Sequence, residues 1–471
     1  MILALTAAAL GVLLVWCFLR WRAGVQMVLV LLVAEGAIRK WVLPGQQQLV
    51  YLAKDLLLIA VYAGWFTSVR RKSLGRVPVM VVLPLLACAV WGAVEIFNPR
   101  LPSLLVGLFG WKAYFLYAPL LWVVPAAFRD MPDLERFARW YAYLLIPETI
   151  LGYLQSRSAA SSPLNRYAWG EAAAGSIATF GEAGSPVRVT GSFSYISGYV
   201  SFLTVAGLLT LALLAARRFS WRGNILLWAT LGALPFGILF SGSRAPVILL
   251  AGIAPLFVMF ASGHGGRRVD TLARLAAGLA LVTAIVSFTG APALEAFARR
   301  ARTATDLQDR LLTPFVEPFR IAEEVGLLGY GIGATHQAAA SLVPDLRPGA
   351  WLEGLEAENE SSRVMIELGP FGFVFHYSYR IGMILMVFGW ARRSRSPFGR
   401  AVGFAAALFL TAQLPGASVM NVTNGMLFWF LAGCAHLTAL AEEQMARGAS
   451  AFREAEAPSR SLDRAAEALG Q

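Results

Sequence analysis

Apolar residues in this chain run in long blocks separated by polar stretches, without the three-to-four-residue rhythm of a soluble amphipathic helix. The blocks cover residues 1–19, 25–38, 49–67, 77–97, 103–127, 137–155, 195–215, 223–240, 245–262, 272–290, 370–390, 398–413 and 420–440. A helix needs roughly 20 apolar residues to cross a hydrocarbon layer about 30 Å thick, and most blocks approach that length. Stretches such as Leu203 to Ala215 are apolar on every side, unlike the alternating strands of a membrane β-barrel. In lipid the backbone can satisfy its polar groups only within helices. The pattern predicts an all-α, polytopic membrane helix bundle of about 13 transmembrane helices.

The polar stretches between blocks carry a second signal. Basic clusters at Arg20 and Arg22, Arg70 to Arg76, Arg129 to Arg139, Arg217 to Arg222, Arg267 to Arg274 and Arg392 to Arg400 fall on every second gap. Cytoplasmic loops are enriched in Lys and Arg, so one orientation fits throughout, with the N-terminus outside and the tail inside. The expected organisation is N-terminal helices at 1–155, an external loop at 156–194, central helices at 195–290, a large periplasmic loop at 291–369, C-terminal helices at 370–440 and a cytoplasmic tail at 441–471. Helical stretches are expected around Leu294 to Leu312 and Pro318 to Leu327 in the large loop. The tail is expected to form a short helix and then become disordered. The first block lacks a basic start and a small-residue cleavage site, so it reads as a retained helix.

Composition strengthens this picture. The 471 residues are 57% hydrophobic and 14% charged, with a mean hydropathy of +0.61, too apolar for ordinary soluble domains. The net charge of +12 does not imply a nucleic-acid partner, because the basic residues sit in the gaps that the orientation rule explains. Cys17, Cys88 and Cys434 lie within apolar blocks without metal-ligand spacing, and no metal or cofactor is expected.

Charges where lipid disfavours them are the chemical candidates. Arg244 sits on a short external turn, Ser241-Gly242-Ser243-Arg244, and Arg188 precedes the seventh block on the same side. Each reads either as a headgroup-snorkelling arginine or as a guanidinium whose fork can grip phosphate oxygens. Glu358, Asn359, Glu360, Arg363 and Glu367 form a polar run into the eleventh block, in which Arg363 and Glu367 are spaced to pair at i and i+4. Lys54 and Asp55 read as structural, and Lys112 is left open. His336 is the external histidine, just after Gly329-Tyr330-Gly331-Ile332-Gly333, which reads as a tight turn with close backbone approach. HExxH, CxxC, GxSxG and P-loop patterns are absent.

Four segments resemble the O-antigen ligase and polymerase superfamily of integral membrane glycosyltransferases: Arg188 to Phe193, Ser241 to Arg244, Gly329 to Gly333, and Glu358-Asn359 followed by Gly369-Pro370-Phe371-Gly372. The resemblance spans roughly residues 185 to 435. It implies metal-independent transfer from an undecaprenyl-diphosphate-linked glycan on the periplasmic face of a bacterial inner membrane. External arginines would hold the diphosphate, best matched by Arg188 and Arg244, with Arg310 and Arg320 as further candidates. Glu358 and Asn359 would be catalytic, with His336, Arg363 and Glu367 as additional site residues. Ligases of the family carry His where this chain has Glu358, which favours a polymerase over a ligase. A transporter of lipid-linked glycan is the non-enzymatic rival. Expected partners are the lipid-linked glycan, membrane lipid and other polysaccharide-assembly proteins.

Overall fold

The structure, a computed structural model, describes residues 2–68, 77–168, 178–179, 187–217, 220–261, 307–345, 349–355 and 359–469. No strand occurs among them, apart from an isolated bridge between Thr179 and Val187. The helices used below are α1 (Ile2–Leu19), α2 (Trp21–Ala37), α3 (Gln47–Thr67), α4 (Val79–Glu95), α5 (Leu104–Phe115), α6 (Leu120–Ala127), α7 (Met131–Tyr143), α8 (Leu145–Arg157), α9 (Ile196–Ala216), α10 (Ile225–Ser241), α11 (Ala245–Ala261), α12 (Leu307–Val325), α13 (Glu360–Arg393), α14 (Pro397–Ala412) and α15 (Val422–Leu469).

Every apolar block falls on one of these helices or a broken pair, except 272–290, which lies outside the described residues. Five segments among the described residues are long and apolar enough to cross a membrane: Trp21–Val42, Pro44–Thr67, Ile196–Ala216, Glu360–Arg393 and Val422–Arg447. A sixth arises if α5 and α6, bent by 48°, form one span, and shorter apolar helices such as Val79–Glu95 and Pro397–Ala412 accompany them. These lengths and compositions are those of a membrane-embedded helical protein.

The centre of the bundle is α9. It is apolar all round and almost every side chain is buried, as expected of a helix enclosed by other helices; α7, α10, α11, α14 and α15 pack around it. Helix starts follow local chemistry. Ser103, Asp130 and Ser396 each accept a backbone N–H of the first turn at α5, α7 and α14.

Three expectations change. Residues 360–369, which the sequence places at the end of the expected loop, are helical and form the first part of α13. The helix in that loop runs unbroken from Leu307 through Pro314 and Pro318 to Val325, where the sequence suggests separate stretches. The tail continues α15 as helix to Leu469.

Candidate functional site

The segment from Arg188 to Ser194 is irregular, yet its polar groups are held on several sides. Gln155 at the end of α8 accepts the N–H groups of Thr190 and Gly191 at 3.2 and 2.9 Å and donates to the Gly191 carbonyl at 3.1 Å. Glu148, two turns further back on the same face, accepts the Ser192 N–H at 2.9 Å. From α2 and the turn after it, Lys40 donates to Thr190 Oγ1, the Gly191 carbonyl and the Phe193 carbonyl at 3.1, 2.6 and 2.9 Å, while Arg39 donates to Ser194 Oγ at 2.9 Å. Gly36 permits this approach, since a Cβ there would lie 2.2 Å from the Ser194 nitrogen. Buried backbone without water needs such partners.

The cradle determines where Arg188 goes. Val189 N–H donates to the Phe240 carbonyl at 3.1 Å, and Arg188 Nε donates to the Ser241 carbonyl at 3.2 Å. Arg188 is thereby fastened to the C-terminal end of α10, the turn that carries Arg244. Gly242, left-handed at φ 61°, ends the helix there. Arg244 is half-buried and makes no hydrogen bond or ion pair among the described residues.

The third and fourth motif segments also meet. α13 is interrupted at Gly369 (φ 62°, ψ −176°). Pro370 has no N–H to give the Ile366 carbonyl, and Tyr330 N–H supplies it at 2.7 Å. Trp91 Nε1 donates to the Leu368 carbonyl at 2.8 Å. The Gly-Tyr-Gly-Ile-Gly stretch is therefore the piece that docks on the broken helix. Its Gly333 lies so close to Gly110 of α5 that a Cβ at Gly110 would stand 2.4 Å from the Gly333 Cα.

That docking carries Thr335 and His336 to α5 and α13. Glu367, fully buried, accepts Thr335 N–H at 3.0 Å and Thr335 Oγ1 at 2.6 Å on one oxygen, and Tyr114 Oη at 2.9 Å on the other. The expected Arg363–Glu367 pair is not formed, because hydroxyl and amide donors from α5 and the loop occupy both carboxylate oxygens. His336 Nδ1 accepts the Ala338 N–H at 3.0 Å, and the ring stands edge-on to Phe109 with centroids 6.3 Å apart. Burial, then the Lys112 and Arg363 charges, push His336 down to about 4. At neutral pH the imidazole is uncharged and its proton sits on Nε2, so it offers a donor and not a base.

Lys112, left open by the sequence, joins this cluster. It pairs with Asp55 at 2.5 Å, and Asp55 also accepts Tyr117 Oη at 2.7 Å. Lys54 pairs with Glu35 at 2.8 Å. Both Lys54 and Asp55 are thus held in ion pairs, the arrangement that makes buried charge tolerable.

Asn359 caps α13, accepting the Ser362 N–H at 2.8 Å and Ser361 Oγ at 2.6 Å while donating to Glu317 of α12. Glu358 and the side chain of Arg310 lie outside the described residues. Arg320 is exposed on α12 without a hydrogen bond or ion pair among the described residues. Two assemblies result: Arg188 with the Arg244 turn, and His336, Arg363 and Glu367 with Lys112, with Asn359 at the head of the same helix as Glu367. No group of three or more His, Cys, Asp or Glu residues fit to hold a metal occurs among the described residues.

Lys40, Gln155 and Glu148 were not singled out by sequence reasoning. For Lys40 the signal existed. Arg39-Lys40 is a basic pair on a gap assigned to the outside, the same anomaly that marks Arg244. Gln155 and Glu148 carry no comparable signature. No protein-family model matches this chain, and no curated protein matches it.

Proposed function

We propose that this chain is a membrane glycosyltransferase that polymerises undecaprenyl-diphosphate-linked repeat units on the periplasmic side of a bacterial inner membrane, in a bundle of about 13 spans. The observation that carries this reading is the attachment of Arg188 to the turn bearing Arg244. The Arg188 side chain and the turn that carries Arg244 are thereby held together, and bidentate guanidinium contacts suit a diphosphate.

In the proposed step, the acceptor hydroxyl oxygen bonds to the donor sugar's anomeric carbon. The bond from that carbon to the diphosphate oxygen breaks, and the electron pair leaves with undecaprenyl diphosphate. Arg188 and Arg244 stabilise the departing charge. Glu358 takes the acceptor's proton as a general base, Asn359 orients the segment that bears it, and His336 offers its Nε2–H to a sugar oxygen.

A deletion strain tests this directly through its lipid-linked glycans, resolved by length. Single repeat units should accumulate, and long undelivered polymer would instead establish a ligase. Within the enzyme reading, Arg244→Ala should impair donor use more than Arg244→Lys, which keeps the charge but loses the fork. Long polymer persisting in Glu358→Gln would remove Glu358 as the base.

A transporter is the second reading, favoured by one observation: α13 is a broken helix carrying buried Glu360, His376 and Arg380, as transporters place charge in discontinuous helices. These groups bind one another and the 413–420 turn, which favours a structural role. Transport would show as repeat units accumulating on the cytoplasmic face of the membrane in the deletion strain.

A further inference from the structure

α12 belongs to a segment that the sequence assigns to a hydrophilic loop, yet it carries a large apolar face. Leu312, Phe315, Val316 and Phe319 recur at three- and four-residue spacing and are 51%, 54%, 41% and 66% exposed. The opposite side is fastened to the start of α13. Glu317 accepts from Asn359 Nδ2 and from Ser362 Oγ, and the Pro314 carbonyl lies against Ser361 Oγ. The exposed face is therefore turned away from the protein by bonds that fix the helix's rotation.

Its surroundings identify what covers it. The Phe319 ring stands edge-on to Phe373 of α13, with centroids 5.8 Å apart. Phe371, Val374, Ile381 and Leu385, on the neighbouring face of α13, form an exposed apolar stripe along a candidate membrane span. The α12 face thus lies against a helix whose own exposed surface is suited to acyl chains. The charged side chains that interrupt it, Arg320 and Glu323, lie at its C-terminal end, and both are exposed.

We propose that α12 is an in-plane interfacial helix, with the face from Leu312 to Phe319 seated among the acyl chains of the leaflet at the N-terminal end of α13, and Arg320 and Glu323 at the lipid headgroups. Its partner is membrane lipid. Asn359, bonded to the back of α12, then lies at the boundary where a membrane-anchored molecule would arrive. The inference about α12 does not depend on the enzymatic reading.

The test uses the full chain in lipid nanodiscs, with a nitroxide attached at Leu312→Cys, Phe315→Cys, Phe319→Cys or Glu324→Cys. Leu385→Cys provides a reference within the span, and the native cysteines are buried. Oxygen partitions into lipid and a nickel chelate into water. The oxygen-to-nickel accessibility ratio should be several times higher at residues 312, 315 and 319 than at 324, and should approach that at 385. A high nickel accessibility at all three apolar positions overturns the proposal. So does protection from both reagents with spin–spin broadening that vanishes on dilution with unlabelled protein, which would mean that a second copy covers the face. Three independent labels keep the outcome readable if one variant fails to fold.

Discussion

Gly329 and Gly369 pack backbone against backbone: a Cβ at Gly329 would lie 2.7 Å from the Gly369 nitrogen, and one at Gly369 would lie 3.0 Å from the Gly329 nitrogen. Gly369 also has a conformation (φ 62°, ψ −176°) that side-chain-bearing residues rarely adopt. Gly369→Ala should therefore destabilise the protein by about 1–3 kcal/mol from backbone strain alone, and further from the clash with the Leu327 carbonyl 2.3 Å away. Gly389 lies in the same helix with open space around it, and Gly389→Ala should instead stabilise by roughly 0.5–1 kcal/mol. Heating both variants in detergent and measuring the monodisperse fraction checks the opposite signs.

His336 predicts a pH dependence. Its folded-state value is about 4 against an ordinary 6.5, so the unfolded chain binds this proton first as pH falls. The neutral ring's contribution is present above about 6.5 and is lost as pH falls towards 4, with a total on the order of 3 kcal/mol. His336→Gln should flatten the stability profile between those pH values. An unchanged slope would mean that the ring is not held neutral.

Arg380 and Glu360 form a fully buried pair at 3.1 Å. Glu360 also accepts Ser418 Oγ and the N–H groups of Val419 and Met420. Arg380→Met leaves a buried carboxylate without its cation and should cost roughly 3–5 kcal/mol. Proteolysis within the 413–420 turn should rise in that variant, since the turn is held through Glu360 and Arg380.

Lys40 predicts a coupling. If it acts by holding the segment that bears Arg188, Lys40→Met should lower chain extension about 10–100-fold, the effect of about 1–3 kcal/mol from lost buried hydrogen bonds. In an Arg188→Ala background the same substitution should add almost nothing. Fully additive losses in the double variant would separate Lys40 from Arg188.

Much of the helix layout was legible because apolar block length is a property of consecutive residues. Leu203 to Ala215 needs no partner to be recognised as a helix apolar on every side. The contacts that organise the site were less accessible. Tyr330 meets Ile366, and Trp91 meets Leu368, because a proline removes one donor and the chain break displaces another. The Pro370 signal was visible, but the residues that answer it lie far away in sequence. The Arg363–Glu367 pair failed for a related reason: helical spacing ranked the nearest cation first, while Tyr114 and Thr335 reached the carboxylate from other segments. Arg188 and Arg244 could be marked as anomalies, whereas the α8 side chains that hold the Arg188 segment look unremarkable in the sequence.

The interruption at Gly369 bears on how this protein can be assembled. A continuous helix can enter a bilayer alone, since its backbone is internally satisfied. The segment from Glu360 to Arg393 is not satisfied within itself, because its Ile366 and Leu368 carbonyls accept from Tyr330 and Trp91. Both donors are synthesised earlier, so α13 completes its backbone pairing only when it meets the α4 helix and the 329–333 stretch.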